Sequence, residues 1–244
     1  MGCFFGVATQ GEIMTKVAIV QSCYIPWKGY FDLINMVDDF VLFDEVQYTR
    51  RDWRNRNKIK TDKGLLWLTI PVDVKGNYFQ AIKDTKIADS KWQSQHWNSI
   101  KHYYSKAIFF KQYYDFFNEI YGTFKEKYLS IINYEFLIKL NELLGIGTRL
   151  HWSGDFEFVK GKTERLLCIC KRLKASTYVS GPSARDYLDE SMFEGEGISV
   201  EWMDYGGYPE YRQLYPPFEH AVSIIDLILN EGPNAPEFMK SFNR

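Results

Sequence analysis

The sequence predicts an α/β protein in which a mainly parallel, Rossmann-like sheet carries a helical insertion. The run Val17-Ala18-Ile19-Val20 is typical of a strand that is covered on both faces. A second β-favouring run, Phe40-Val41-Leu42-Phe43, follows after one helix-length interval, which indicates a βαβ unit with two parallel strands. Similar runs return at residues 175–181 and 198–202, after a long stretch with helical periodicity.

The turn after the first strand is the first candidate site. Pro26 and Gly29 end the strand, and apolar residues from Tyr30 onward recur at helical spacing. Open α/β sheets bind ligands at the carboxyl ends of their strands. The turn brings an amide, a phenol and an indole to this edge, from Gln21, Tyr24 and Trp27. The alternative is an aromatic turn that only fills the top of the core.

A basic segment at residues 50–60 is the second candidate. It follows Asp44 and Gln47, which come at the end of the second strand and therefore at the same predicted edge. The segment, predicted as a loop, holds four Arg and two Lys against one Asp, a net charge of +5. Guanidinium groups bind phosphate or carboxylate in a bidentate manner, and Trp53 offers a stacking surface. The alternative is a solvated basic loop.

The remaining elements are predicted from periodicity and from turn residues. Residues 16–244 are expected to form one domain, with a helical subdomain at about 91–145 that covers the sheet, and residues 1–15 are expected to be an extension without a role. The predicted strands are 65–72, 82–87, 175–181 and 198–202, and the predicted helices are one from residue 92, 116–128, 131–144 closed by Gly145, 163–173, 184–188 and 222–230, with an aromatic loop at 205–218.

Two further features carry open alternatives. His96 lies near the start of a helix, where it is either a general base or a satisfied structural histidine, whereas the other three histidines are expected to be structural. The segment Ser180-Gly181-Pro182-Ser183 joins a strand to a helix. Such a turn can bind an anion at the helix N-terminus, but it is also ordinary turn chemistry.

Composition excludes several classes of protein. The chain of 244 residues is 45% hydrophobic and 25% charged with a net charge of −1, so no global charge favours nucleic acid or membrane. Its 17% aromatic content favours a site or interface built from rings. The four cysteines form no disulfide or zinc pattern, which fits a reducing cytoplasm, and no apolar run is long enough for a membrane span. Dinucleotide, P-loop, nucleophile-elbow and zincin motifs do not occur, and nothing requires a metal.

The ordered set of motifs resembles the WbqC-like protein family across residues 16–233. One departure is Ser22, where the family is expected to favour proline. The motifs are Gln21-x-x-Tyr24-x-Pro26-Trp27-x-Gly29-Tyr30-Phe31-x-x-Ile34, Asp44-x-x-Gln47, Arg51-x-Trp53-x-Asn55-Arg56-Asn57-x-Ile59, Trp67 to Val72, His96, Tyr178-x-Ser180-Gly181 with Tyr187-Leu188, and Tyr211-x-Gln213 with Ser223 to Asp226.

The resemblance implies a bacterial cytoplasmic protein of surface polysaccharide (O-antigen) biosynthesis. The implied reaction is acyl or aminoacyl transfer, of glycine for example, onto the amino group of a nucleotide-linked sugar. On this hypothesis the general base is Asp44 or His96, and the diphosphate is bound by Arg51, Arg54, Arg56 and Lys58. The nucleobase or the sugar stacks on Tyr24, Trp27 and Trp53, and the reacting carbonyl is oriented by Gln21, Gln47, Asn55, Ser180 and Gly181. The substrate site is completed by Gly29, Tyr30, Asn57, Tyr187 and Gln213.

Two other classes of function stay open at this point. The first is a tRNA-dependent or nucleic-acid-dependent module, whose binding would weaken steeply with salt. The second is a non-catalytic assembly protein of the same pathway. No resident cofactor is expected, while ATP or an activated aminoacyl donor remains open as a co-substrate. The transferase hypothesis depends on one geometric expectation, that the two early parallel strands bring the aromatic turn and the basic segment to a common edge, so that rings and guanidinium groups face one cavity. Trp27 and Arg56 on opposite sides of the molecule, with no concavity between them, would contradict it.

Overall fold

A computed structural model describes residues 14–123 and 125–243 and confirms the α/β class with a mainly parallel sheet. The predicted extension at residues 1–15 lies almost wholly outside the described residues. The strands are β1 (Lys16–Val20), β2 (Asp39–Leu42), β3 (Arg56–Thr61), β4 (Gly64–Thr69), β5 (Arg149–Trp152), β6 (Thr177–Ser180) and β7 (Ser199–Trp202). The helices are α1 (Lys28–Asn35), α2 (Trp92–Tyr104), α3 (Phe110–Thr123), α4 (Leu129–Leu144), α5 (Lys162–Arg172), α6 (Glu190–Glu194) and α7 (Ile224–Glu231).

Five strands form the main sheet in the order β5-β2-β1-β6-β7, and every pair in it is parallel. Successive residues of β1 point to opposite faces, so Ala18 joins one hydrophobic cluster while Val17 and Ile19 join another. One face packs on α1 and the helical insertion, and the other packs on α5 and α6. Burial on both faces explains why β1 is a continuous apolar run.

The chain runs outward from the centre of the sheet in two directions. From β1 it proceeds to β2 and then β5 on one side, and from β6 to β7 on the other. The strand order therefore reverses between β1 and β6. In an open α/β sheet, a reversal of this kind leaves a crevice at the carboxyl ends of the two strands, where ligands bind.

The structure differs from the predictions at five places. The basic segment is a loop only as far as Asn55, because Arg56–Thr61 is strand β3 and pairs antiparallel with β4. The predicted strand at 82–87 is wrong, since Ile82–Asp84 forms a single 3₁₀ turn with isolated bridges nearby. The predicted helix at 116–128 is instead α3, Phe110–Thr123. Strand β5 was not predicted. Residues 182–186 form a 3₁₀ turn where a helix at 184–188 is predicted.

The helical insertion packs against the hairpin formed by β3 and β4 and against α7, within the hydrophobic cluster that also contains α1. Gly145 ends α4 in the left-handed conformation with φ of 73°, which confirms its predicted role as the helix stop. Among residues 14–123 and 125–243, no helix combines the length and apolar character that a membrane crossing requires.

Candidate functional site

A cavity of about 750 Å³ opens at the crevice between β1 and β6, a volume in the range of small-molecule sites. Its lining comes from the turn after β1, the residues that follow β2, the loop that leads into β3, the start of α5 and the turn after β6, together with Tyr205 and Ala221. Nine of the residues singled out from the sequence line it, namely Gln21, Trp27, Tyr30, Trp53, Arg54, Asn57, Ser180, Gly181 and Tyr187.

Three cations line the cavity, Arg54, Lys162 and Arg165, and no Asp or Glu is among its described lining residues. The Arg54 side chain is only 13% exposed, and its Nη1 lies 2.9 Å from the Cys23 sulfur. A weak ion pair at 3.7 Å joins Arg54 to Asp52. Two of the three cations have a carboxylate beside them, but that carboxylate is not among the lining residues, and a cavity wall that carries cations and no carboxylate favours a negatively charged ligand.

Arg165 is fixed at the cavity wall by contacts on two sides. Its Nη2 donates to Glu45, and its guanidinium group lies 4.8 Å from the Phe43 ring and 4.9 Å from the Phe158 ring. Glu45 is held at the same time by Lys83, at 3.1 Å. A guanidinium group that is stacked between rings keeps its orientation, which prepares it for a bidentate contact with an anion.

Aromatic rings form another part of the cavity wall. The Trp27 indole packs against Tyr205 and Tyr208, with ring centroids 5.4 and 5.6 Å apart. Gly29 permits this arrangement, because a Cβ at that position would lie 2.3 Å from the indole. The wall therefore presents planar surfaces on which a nucleobase or a sugar can stack.

Asp44 lies beneath the turn and not in the cavity. Its Oδ1 accepts the Ser22 N–H at 2.8 Å, and its Oδ2 accepts the Ser130 hydroxyl. Asn133 adds bonds of 2.9 Å to the Ser22 hydroxyl and to the Arg54 carbonyl. Burial raises the pKa of Asp44, while the hydrogen bonds from Ser130 and Ser22 act in the opposite direction. Asp44 thus positions the turn and does not touch the space where a ligand would lie.

Asn57 and Tyr30 hold the same turn from the other side. The Asn57 amide donates to the Tyr24 and Ile25 carbonyls at 3.2 and 2.9 Å. Ile25 has φ of 37°, a conformation that a β-branched residue adopts only when its surroundings impose it. Tyr30 donates its hydroxyl to the Gln21 carbonyl at 3.0 Å. Arg54 Nη1 lies 3.4 Å from the same carbonyl, so two side chains fix the backbone of Gln21 at the cavity.

His96 is buried in the helical insertion, away from the cavity. Its Nε2 lies 3.2 Å from the Thr69 carbonyl, which can only accept, so Nε2 carries the proton and Nδ1 accepts the Tyr24 hydroxyl at 2.9 Å. The Tyr24 oxygen in turn accepts from Tyr121 at 3.0 Å. Burial lowers the pKa of His96 to about 4. The structure therefore favours the structural alternative for this histidine.

This buried histidine predicts an acid-sensitive step in stability. In the unfolded chain His96 titrates with a pKa near 6.5, so its contribution is complete above that pH and is lost as the pH falls toward 4. At pH 5 the loss is about 2 kcal/mol. Urea unfolding at pH 7 and pH 5 should show this difference in the wild type and a smaller one in His96→Gln. Equal pH dependence in the two proteins would contradict the assignment.

Four other residues singled out from the sequence lie outside the cavity with structural partners. Gln47 donates to the Tyr78 carbonyl at 2.9 Å, and Asn55 donates to the Ile70 carbonyl at 2.8 Å. Gln213 donates to Asp226 at 3.0 Å within the aromatic loop. Arg56 donates to the Arg51 carbonyl on the hairpin surface. Trp27 thus shares its cavity with Arg54, the neighbouring arginine in the same segment, and Arg56 faces elsewhere.

The sequence reasoning missed four residues of the cavity. Lys162 and Arg165 belong to an amphipathic helix whose polar side carried no motif, and Tyr205 stands in a loop noted only for its rings. Cys23 was set aside because it fits no ligand pattern. Burial raises the pKa of Cys23 to about 11 although Arg54 opposes the shift, so the group is a thiol at neutral pH. A thiol in this state is a poor nucleophile.

Comparison with known proteins gives one family and one curated relative. A family model described as the WbqC-like protein family matches residues 21–238. A protein of Mycobacterium tuberculosis described as uncharacterized protein Rv1507c is 50% identical over 227 residues, which is 93% of this chain and 98% of that protein. No solved structure matches the chain.

Proposed function

The chain belongs to the WbqC-like protein family, and from this premise we propose that it is a transferase of bacterial surface polysaccharide biosynthesis. The proposed reaction moves an acyl or aminoacyl group, of the glycyl type, onto the amino group of a nucleotide-linked amino sugar. The observation that carries the proposal is the cavity at the β1–β6 crevice, whose described lining residues combine three cations with aromatic rings and include no carboxylate.

The cationic wall suits a diphosphate. Arg54, Lys162 and Arg165 offer three positive groups to one ligand, and a buried pyrophosphate needs several such partners to offset the loss of its hydration. This assignment transfers the phosphate-binding role from Arg51, Arg56 and Lys58, which do not line the cavity, to residues that do. The rings of Trp27 and Tyr205 then stack on the nucleobase or the sugar.

The reaction requires little acid–base machinery from the protein. The neutral amine of the sugar attacks the carbonyl carbon of the activated donor, a C–N bond forms, and the bond from that carbon to the leaving oxygen or sulfur breaks. The leaving group takes the electron pair, and the amine proton passes to it through water. Gln21, in the turn after β1, and Gly181, in the turn after β6, both line the cavity. The side-chain amide of Gln21 and the backbone of Gly181 can bind the developing oxyanion there.

Thermal-shift measurements with nucleotide sugars test the binding step. We expect UDP- or dTDP-linked amino sugars to raise the melting temperature, because a ligand at a hundred times its Kd stabilises the native state by about 2.7 kcal/mol. The same amino sugar without its nucleotide serves as the control and should cause no shift. No shift with any nucleotide sugar would contradict the proposal.

Mass spectrometry then tests the transfer. The nucleotide sugar that causes the shift is incubated with glycine and ATP, with a glycyl thioester or with glycyl-tRNA. We expect one donor to add the mass of a glycyl residue to the sugar nucleotide. Binding without transfer from any of these donors would leave a sugar-nucleotide binding protein and would overturn the transferase assignment.

A further inference from the structure

The outer surface of the β3–β4 hairpin combines cations with aromatic rings. Strand alternation directs Asn57 and Ile59 toward the core, while Arg56 and Lys58 point outward and pair with Thr69 and Trp67 on β4. This outward face is the part of the basic segment that the cavity does not use. We call Trp53, Arg56, Lys58 and Trp67 the hairpin platform.

The rings of the hairpin platform are open to solvent and are held in place. Trp53 and Trp67 are each 41% exposed, and their centroids are 5.4 Å apart. The Arg56 guanidinium lies 4.1 Å from the Trp67 ring, and the Lys58 ammonium lies 5.7 Å from both rings. The two exposed tryptophan rings contact each other and form a stacking surface, and each ring has a cation beside it.

The cations of this surface form no close ion pairs within the described residues, because Asp52, the acidic residue of the basic segment, lies 3.7 Å from Arg54 instead. Across the part of the chain that the structure describes, no carboxylate lies within ion-pair distance of Arg50, Arg51, Arg56 or Lys58. Arg50 instead lies 5.2 Å from the Tyr78 ring. In a chain with a net charge of −1, this surface is therefore a local positive patch that is interleaved with rings.

The hairpin platform continues into the cavity through Trp53. This residue packs on Trp67 and is also one of the cavity-lining residues. A ligand that extends out of the cavity on this side therefore passes over the rings and cations of the hairpin. That continuity indicates a ligand with one small reacting end and a longer anionic, planar part.

We propose that the hairpin platform binds a short single-stranded nucleic acid whose end reaches the cavity. Bases stack on the Trp53 ring and on the Arg56 guanidinium plane, and phosphates contact Arg50, Arg51 and Lys58. The inference rests on the proposed function, since it identifies the acyl donor as a group carried on an RNA end. The spacing of single rings between cations fits a strand of bases and phosphates, whereas a membrane surface would favour a broader apolar face.

Fluorescence anisotropy with a 5′-labelled eight-nucleotide oligoadenylate tests the platform in the full chain, without nucleotide sugar. Three phosphate contacts give a salt slope of about −2.1, so raising the salt from 50 to 200 mM should weaken binding about 20-fold. A duplex RNA of the same length should bind more weakly, because its bases cannot stack on the rings. Binding that does not depend on salt, or equal binding of the duplex, would overturn the proposal.

Two variants locate the site, with circular dichroism to confirm that each is folded. Trp67→Ala removes the ring on which Trp53 and Arg56 pack, and Lys58→Glu replaces a phosphate contact by a negative charge, so each variant should weaken oligoadenylate binding about tenfold or more. Lys111→Glu on α3 makes the same charge change at an exposed position far along the chain and should stay within about twofold of the wild type. Equal losses in Lys58→Glu and Lys111→Glu would indicate only a general charge effect and would overturn the assignment.

The measurement separates the two proposals. Oligoadenylate binding is read without nucleotide sugar, and the thermal shift with nucleotide sugar is read without RNA. If the thermal shift occurs but folded wild-type protein does not bind RNA, the platform proposal fails and the transferase proposal stands. If anionic vesicles bind the wild type and Lys58→Glu abolishes vesicle binding while RNA does not bind, the patch is a membrane contact, and the nucleic-acid assignment is wrong.

Discussion

Replacing Arg165 by alanine is expected to weaken binding of the nucleotide sugar about 100-fold. Arg165 is buried at the cavity wall and is held between Phe43 and Phe158, so its guanidinium group is oriented before the ligand arrives. Removing one partner of a buried, hydrogen-bonded charge pair costs about 2–5 kcal/mol, which corresponds to this loss of affinity. Titration of the sugar nucleotide identified by thermal shift, followed by tryptophan fluorescence, measures the change in Kd.

Two further variants show whether the effect belongs to the cavity. Arg165→Lys keeps the charge but loses the bidentate geometry, and we expect a loss of about tenfold. Arg172→Ala removes an arginine from the other end of α5, where the side chain is exposed and pairs with Glu157 at 3.5 Å, and its Kd should equal that of the wild type. An unchanged Kd in folded Arg165→Ala would remove Arg165 from the ligand site.

The free energy of unfolding of Arg165→Ala should be measured as well, because Arg165 also pairs with Glu45. The variant takes one cation from Glu45 but leaves Lys83, 3.1 Å away, so the carboxylate is not left unpaired. If Arg165→Ala weakens ligand binding much more than it lowers the free energy of unfolding, the weaker binding comes from the lost contact with the ligand and not from a collapse of the cavity wall. This contrast is what distinguishes a binding residue from a residue that only supports the fold.

The centre of the fold could be predicted from the sequence because its signals are local. Each of β1, α1 and β2 has a pattern of apolar residues that predicts which of its faces is buried. The length of the connection between β1 and β2 predicts that the two strands are parallel. Strand β3 was missed for a physical reason. Its outward positions are Arg56 and Lys58, and one of its inward positions is Asn57, so a half-buried strand looked like a charged loop.

The candidate site was predictable only in part, because half of its walls come from distant chain segments. The turn after β1 contributes Gln21 and Trp27, which carry recognisable motifs. Arg165 reaches the same cavity only because β6 inserts beside β1 and places α5 over the crevice. No pattern in the sequence predicts that Arg165 reaches this cavity. For the same reason Asp44, at the correct edge of the sheet, could not be told from a catalytic carboxylate until its partners were known.

Those partners assign Asp44 to the architecture of the turn. Its carboxylate accepts the Ser22 N–H and the Ser130 hydroxyl, and both donors are buried. A proline at position 22, as the family resemblance led us to expect, would have no N–H to donate. The serine found here therefore supplies a bond between the end of β1 and the end of β2. The loop that carries Gln21 and Cys23 into the cavity is held by this bond.

Asp44→Ala is accordingly expected to lower the free energy of unfolding by about 4 kcal/mol. Two buried donors lose their acceptor, and each unsatisfied donor costs about 1–3 kcal/mol. Asp44→Asn retains an acceptor for Ser22 and a group that Ser130 can contact, so it should lose about 1 kcal/mol, and Ser130→Ala, which removes one bond, should fall between the two. Urea unfolding at pH 7 measures all three. If Asp44→Ala were as stable as the wild type, the carboxylate would not hold the turn. A catalytic role would then become the better explanation for its place at the edge of the sheet.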